Sequence, residues 1–375
     1  MMFDSPFLAL ILFGGWYVGT LRVDAMPVIE LLPQSLRDAA REQVLLLNDV
    51  LSPVMQEAIL ATFIILVLGW QVLGEGSDAP VVKVDEDEAQ REDVLPPGRP
   101  KLTPATASPR IDGQPSLIRC WDPTTMEDLG TAKVDTPADV EDAVRRARRA
   151  QHEWRRSSFA QRRRLLRTLL RFIVENTQTV ARVACRDSGK TKVDAVFGEI
   201  AVTCEKLRWT IAHGERWLRP EYRDSGLMNL HKTSRVEWTP VGVVGAIVPW
   251  NYPCHNVFNP IIAATFAGNS IVIKASEYAA WSTSYYQRAV DACLEAAGAP
   301  AGLVQIVNGF AETGNALVNS GADKIIFVGS VNVGRQVMKA CADARRVVPL
   351  VSTFFAYDPI GLCTVLGRAC FAMAL

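Results

Sequence analysis

A chain of 375 residues with 40 Lys and Arg against 40 Asp and Glu carries no net formal charge. That balance excludes a global electrostatic pull toward nucleic acid or acidic partners. Its eight cysteines are scattered without a C-x-x-C pair, so neither a zinc site nor a redox dithiol is expected, and reduced thiols in a cytosol-facing protein fit the pattern.

The first hundred residues differ from the rest. Residues 6–21 and 58–73 are apolar runs, each close to the ~17–25 residues of a membrane-spanning helix. The first is preceded by no basic leader but by the acidic Asp4, which favours an anchor over a cleaved signal peptide. Residues 1–74 are therefore expected to form a single- or double-pass anchor in an endomembrane, with the soluble part on the cytosolic side. Residues 33–53 pattern as an interfacial amphipathic helix. Residues 75–116 combine the acidic run DEDEAQRED with a proline-rich stretch, a composition that predicts a disordered linker.

From Leu117 the pattern is that of a folded domain. Leu117–Thr131 reads as strand and turn, punctuated by Asp122-Pro123. Thr136-Pro137-Ala138-Asp139 predicts a helix start, with Thr136 as cap, Pro137 in the first turn and Asp139 at the positive end of the dipole. The arginines of 145–171 suggest a nucleic-acid patch, but Leu165, Leu166, Leu169, Leu170 and Ile173 recur at helical spacing. They predict a core-facing helix with its arginines solvated and no nucleic-acid partner. Ser188-Gly189-Lys190-Thr191 ends like a phosphate loop, yet Ala184 stands where that loop needs glycine. Residues 219–240 alternate around Asp224-Ser225-Gly226, which predicts a hairpin.

Residues 241–334 carry most of the functional signal. Four short Val/Ile-rich runs, Val243–Val248, Ser270–Ile273, Leu303–Val307 and Lys324–Val328, are separated by helix-length segments. Continuous apolar strands between helices predict a doubly wound α/β parallel sheet. Such a sheet binds its ligand beyond the carboxyl ends of its strands. The motifs VPWNYP, IKASE, NGFAETG and FVGS, in this order and spacing, resemble the NAD(P)-dependent aldehyde dehydrogenases. The resemblance covers roughly 117–345 and implies a Rossmann-like sheet of the aldehyde dehydrogenase type. It implies NAD-dependent oxidation of an aldehyde to a carboxylic acid, and an arm at 219–240 that pairs identical subunits.

The resemblance also implies site residues. The dinucleotide would lie against Ile247, Val248, Pro249 and Trp250, then Lys274, Ser276 and Glu277, then Gly309 and Gly314, then Phe327, Gly329, Ser330 and Val333. Lys274 and Glu277 match residues that hold the adenosine ribose. A carboxylate there accepts from a 2′-hydroxyl and repels a 2′-phosphate, favouring NAD, while Lys274 keeps NADP open. Asn251 matches the family's oxyanion donor, the catalytic candidate here; such a donor contributes ~3–4 kcal/mol to lowering a barrier.

Two expected groups do not appear in the sequence. The family's general-base glutamate would fall near Leu350, where Val351 stands, and no Glu follows Glu312. No cysteine sits in the family's Gly-Gln-x-Cys context, and Cys254, near Asn251, has no neighbour to activate it. Residues 346–375 read as a divergent tail, so the chain is expected to represent a cofactor-binding part without turnover. The alternatives are a non-catalytic membrane-bound partner of full-length subunits and an acyl-phosphate reductase relative.

Overall fold

The computed structural model describes residues 79–91, residues 98–343 apart from 105 and 230, and a strand at 350–352. The apolar runs 6–21 and 58–73, and the tail beyond 352, lie outside the described residues. Among the described residues no helix is long and apolar enough to cross a membrane.

The domain opens with an antiparallel pair, β1 (Leu117–Trp121) and β2 (Asp128–Lys133). Asp122 turns the chain between them, its Oδ1 accepting from Thr124 N at 2.8 Å. Helix α1 (Pro137–Trp154) starts as the sequence predicts. Thr136 accepts from Asp139 N, and Asp139 accepts from Thr136 N, a closed capping box. Those donors, with Lys133, hold the Asp139 carboxyl down at about 2. Helices α2 (Phe159–Glu175), α3 (Thr177–Ser188) and α4 (Val202–Trp217) follow. A π-helical turn, Val196–Ala201, leads into α4. The hairpin stands out next, with β3 (Glu221–Arg223) antiparallel to β4 (Ser234–Val236) and Gly226 at φ +70° in its loop.

Strands and helices then alternate: β5 (Val243–Ile247), α5 (Pro253–Phe266), β6 (Ser270–Ala275), α6 (Ala280–Ala297), β7 (Val304–Asn308), α7 (Ala311–Asn319), β8 (Lys324–Gly329), α8 (Val331–Asp343) and β9 (Leu350–Ser352). All five strands pair in parallel in the order β7-β6-β5-β8-β9. Side chains alternate across the sheet. Val244, Ala246, Ile271 and Ile273 pack on one face against α2, α4, α5 and α6. Val243, Val272 and Phe327 pack on the other against α1, α7 and α8. Because both faces are covered, the strands read as unbroken apolar runs rather than alternating ones.

Two expectations change. The linker assigned to 75–116 is docked where it is described. Val82 is buried in the main core, and Arg171 and Arg182 donate to the carbonyls of Ala79 and Gln90 at 2.6 and 2.7 Å. Its acidic composition hid two alternating valines, Val82 and Val84, that pack on the folded domain. The arginines of α2 are not all solvated either. Arg162 is buried and donates to Phe266 O at 3.0 Å, and burial lowers its guanidinium to about 10.

Candidate functional site

The sheet order creates the site. The chain runs outward from β5 to β6 to β7, then returns to place β8 on the other side of β5. Loops leaving β5 and β8 therefore diverge to opposite faces, the topological switch point at which open α/β sheets take their ligands. Along this edge the residues singled out in the sequence fall side by side. Gly309 follows β7; Lys274 lies near the end of β6, with Ser276 and Glu277 just after it; Val248–Asn251 follow β5; Gly329 ends β8 and Ser330 follows it.

At the β6 end, Lys274 is buried to 6% exposure and donates to Glu277 Oε2 at 3.3 Å. Burial lowers the Lys274 ammonium, and Glu277 partly restores it. Ser276 caps the short turn Glu277–Ala279 by accepting from Tyr278 N. A donor and an acceptor are thus fixed together at a strand end, the pairing that sugar hydroxyls require.

At the β7 end, the backbone at Gly309 passes so close to α7 that a Cβ there would meet Thr313 Oγ1 at 2.0 Å. Thr313 is itself held, donating to Asp135 O at 3.0 Å. Gly314 is buried in α7, where a Cβ would make ordinary contact with Ile247 Cδ1 at 3.9 Å. Phe327 lies in the core, and its ring occupies the space a Cβ on Gly329 would need, at 2.7 Å. It supports the edge rather than lining it. Val333 is 46% exposed on α8.

At the β5 end, Val248 N donates to Lys274 O at 3.0 Å and ties the two strand ends together. Trp250 and Asn251 are exposed at the turn. Asn256, one turn into α5, donates from Nδ2 to Pro249 O at 3.1 Å and to Asn251 Oδ1 at 3.2 Å. Asn251 Oδ1 is thereby engaged, which leaves Nδ2 as the end of the amide that can donate to a ligand.

Beneath this turn lies a group that the sequence reading passed over. Glu199, wholly buried in the π-turn, accepts from Lys190 Nζ at 2.5 Å and from the N–H groups of Cys254 and His255 at 2.7 and 3.1 Å. Lys190 also donates to Asn251 O at 2.7 Å and sits 4.2 Å from the centre of the Tyr252 ring. The only sequence signal was a lone acid in the apolar run Val196–Val202. Gly189 and Thr191 of the former phosphate-loop candidate are helix caps, at φ +71° and as an acceptor for Asp194 N.

Cys254 is buried, and burial together with Glu199 pushes its thiol well up. A nucleophile needs the opposite shift. In the sheet, Leu350, Val351 and Ser352 pair with Phe327, Val328 and Gly329, so position 351 sits on the edge beside β8 and carries no carboxylate. Among the described residues no cluster of His, Cys, Asp or Glu could hold a metal.

Residues 111–352 match the aldehyde dehydrogenase family, a span covering more than half of the chain. The chain belongs to the aldehyde dehydrogenase family. It is 41% identical over 245 residues to a putative aldehyde dehydrogenase-like protein of Schizosaccharomyces pombe, covering 65% of this chain and 47% of that protein. It is 41% identical over 247 residues to a putative aldehyde dehydrogenase-like protein of Saccharomyces cerevisiae, covering 64% and 38%. Among solved structures, the NAD+ complex of an aldehyde dehydrogenase from Bacillus cereus superposes with a TM-score of 0.58 at 29% identity, covering 63% of this chain and 47% of that one. The chain thus spans less than half the length of these aldehyde dehydrogenase relatives.

Proposed function

We propose that this chain binds a nicotinamide dinucleotide along the β7-β6-β5-β8 edge, as the cofactor-binding part of an enzyme oxidising an aldehyde to a carboxylic acid. NAD is the preferred cofactor, with NADP as the alternative. The observation that carries the reading is the reversal of strand order between β5 and β8, which lines up Glu277, Asn251 and Ser330 on one edge.

The residues fit the ligand. Lys274 and Glu277 offer a donor and an acceptor to ribose hydroxyls, and Gly309, which follows β7 on the same edge, has no side chain to stand between its backbone and a chain of phosphates. A bound nicotinamide supplies the hydride acceptor. Asn251, its oxygen engaged by Asn256, donates to the oxygen of the reacting carbonyl. Fluorescence titration of NADH onto the 375-residue chain tests the reading. Saturable binding weakened at least about tenfold by Glu277→Ala is expected; binding that ignores this substitution would refute the ribose assignment.

The hairpin β3–β4 supports pairing of identical subunits. Tyr222, Leu227 and Met228 are 70%, 86% and 90% exposed there, and unpaired strand edges recruit a second chain. The domain limits 117–345 belong to this same reading, as does attachment to a membrane, which rests on the apolar runs of the sequence alone.

A further inference from the structure

We infer that Lys190 and Glu199 are positioning residues that clamp the turn carrying Asn251, so that its amide meets the nicotinamide end of the site in one fixed geometry. This rests on the dinucleotide reading and deepens it. Three features converge on the turn. Lys190 Nζ donates to the backbone oxygen of Asn251 at 2.7 Å, holding the turn from below. Glu199 Oε2 takes the N–H groups of Cys254 and His255, two amides that the first turn of α5 leaves without helical partners. The Lys190–Glu199 contact at 2.5 Å joins these two grips into one unit.

The π-turn makes this geometry available. Its extra residue per turn shifts the side chains of Val196–Ala201 relative to α4. Gly198 in the same turn lies under the Tyr252 ring, where a Cβ would come within 3.2 Å of Cε1. A buried carboxylate is costly without partners. Here Glu199 is wholly buried and Lys190 is 11% exposed, and nearly all of what they bind lies in residues 251–255. The pair therefore joins the helix start it caps to the exposed turn next to the proposed reacting group.

The test uses the full 375-residue chain and two readouts. The first is hydrogen exchange. In Glu199→Ala the amides of Cys254 and His255 are expected to exchange about tenfold faster, with β5 and β6 unchanged. Unchanged rates at those amides, or equal acceleration throughout the sheet, would overturn the clamp. The second compares NADH with ADP-ribose, which lacks nicotinamide. Lys190→Met is expected to lower the preference for NADH several-fold, and Lys190→Arg, which keeps charge and donors, to retain it. Equal weakening of both ligands would mark the pair as merely structural. Should a single variant fail to fold, Lys190→Met with Glu199→Gln leaves no unpaired buried charge and is scored on the ligand comparison in the same way. If the parent chain binds neither ligand, the dinucleotide reading falls, and exchange at Cys254 and His255 still decides the clamp.

Discussion

Asn256 Nδ2 donates to Asn251 Oδ1 at 3.2 Å, and this contact occupies the acceptor end of the Asn251 amide. An amide has an acceptor end and a donor end of nearly the same shape. Only the donor end can stabilise an oxyanion.

Asn256→Asp removes the donor and leaves an acceptor in its place. Asn251 is then expected to turn its NH2 group inward toward the new carboxylate. The measurement is the side-chain amide resonance of Asn251, which should shift strongly, while unfolding free energy falls by ~1–3 kcal/mol because the bond to Pro249 O is lost as well. An unmoved resonance would show that Asn256 does not set the orientation.

Gly309→Ala places a methyl group where Thr313 Oγ1 would be 2.0 Å away. Thr313 cannot yield easily, because it donates to Asp135 O. Overpacking of this kind costs ~1–3 kcal/mol. Urea unfolding should show the loss, and NADH titration should show weakened binding in the fraction that stays folded. Wild-type stability and affinity would mean that the backbone there has slack.

Asp187 gives the domain a pH dependence of known sign. It is buried and accepts from Ser282 N at 2.8 Å. Burial raises its carboxyl to about 7, against the pull of Ser282 and with a further push from Asp122. Its pKa is higher folded than unfolded, so the folded state holds the proton more tightly. The resulting stabilisation is complete below about pH 4 and is lost as the pH rises through 7. Asp187→Asn cannot ionise and should flatten this slope. Denaturant titrations at pH 4 and pH 8 should find the variant more stable than the parent at pH 8, by on the order of a few kcal/mol, and similar at pH 4. Lower stability than the parent at pH 8 would contradict this account.

Leu227→Glu together with Met228→Lys puts charge on the exposed loop of the β3–β4 hairpin. Neither side chain is buried within the chain, so folding stability should move by less than about 0.5 kcal/mol. Sedimentation velocity should instead show smaller assemblies than the parent. An unchanged distribution would remove the hairpin loop from the subunit contact.

What the sequence determined by itself was local or periodic. Thr136 and Asp139 close a capping box three residues apart, and the Val/Ile runs from Val243 onward read as strands covered on both faces. The four motifs also carried the family. Tertiary structure decided what depends on distant partners. No local signal says that β8 returns to the far side of β5, and this return creates the switch point between them. Lys190 reaches Asn251 across 61 residues, and Glu199 reaches Cys254 across 55. Arg162 looked solvated until the carbonyl of Phe266, 104 residues away, was seen to receive it. Val82 looked like linker until the core that buries it was assembled. A side chain's pattern states what it tends to do; burial and pairing arise only when the sheet brings separated segments within the few ångströms over which hydrogen bonds and packing act.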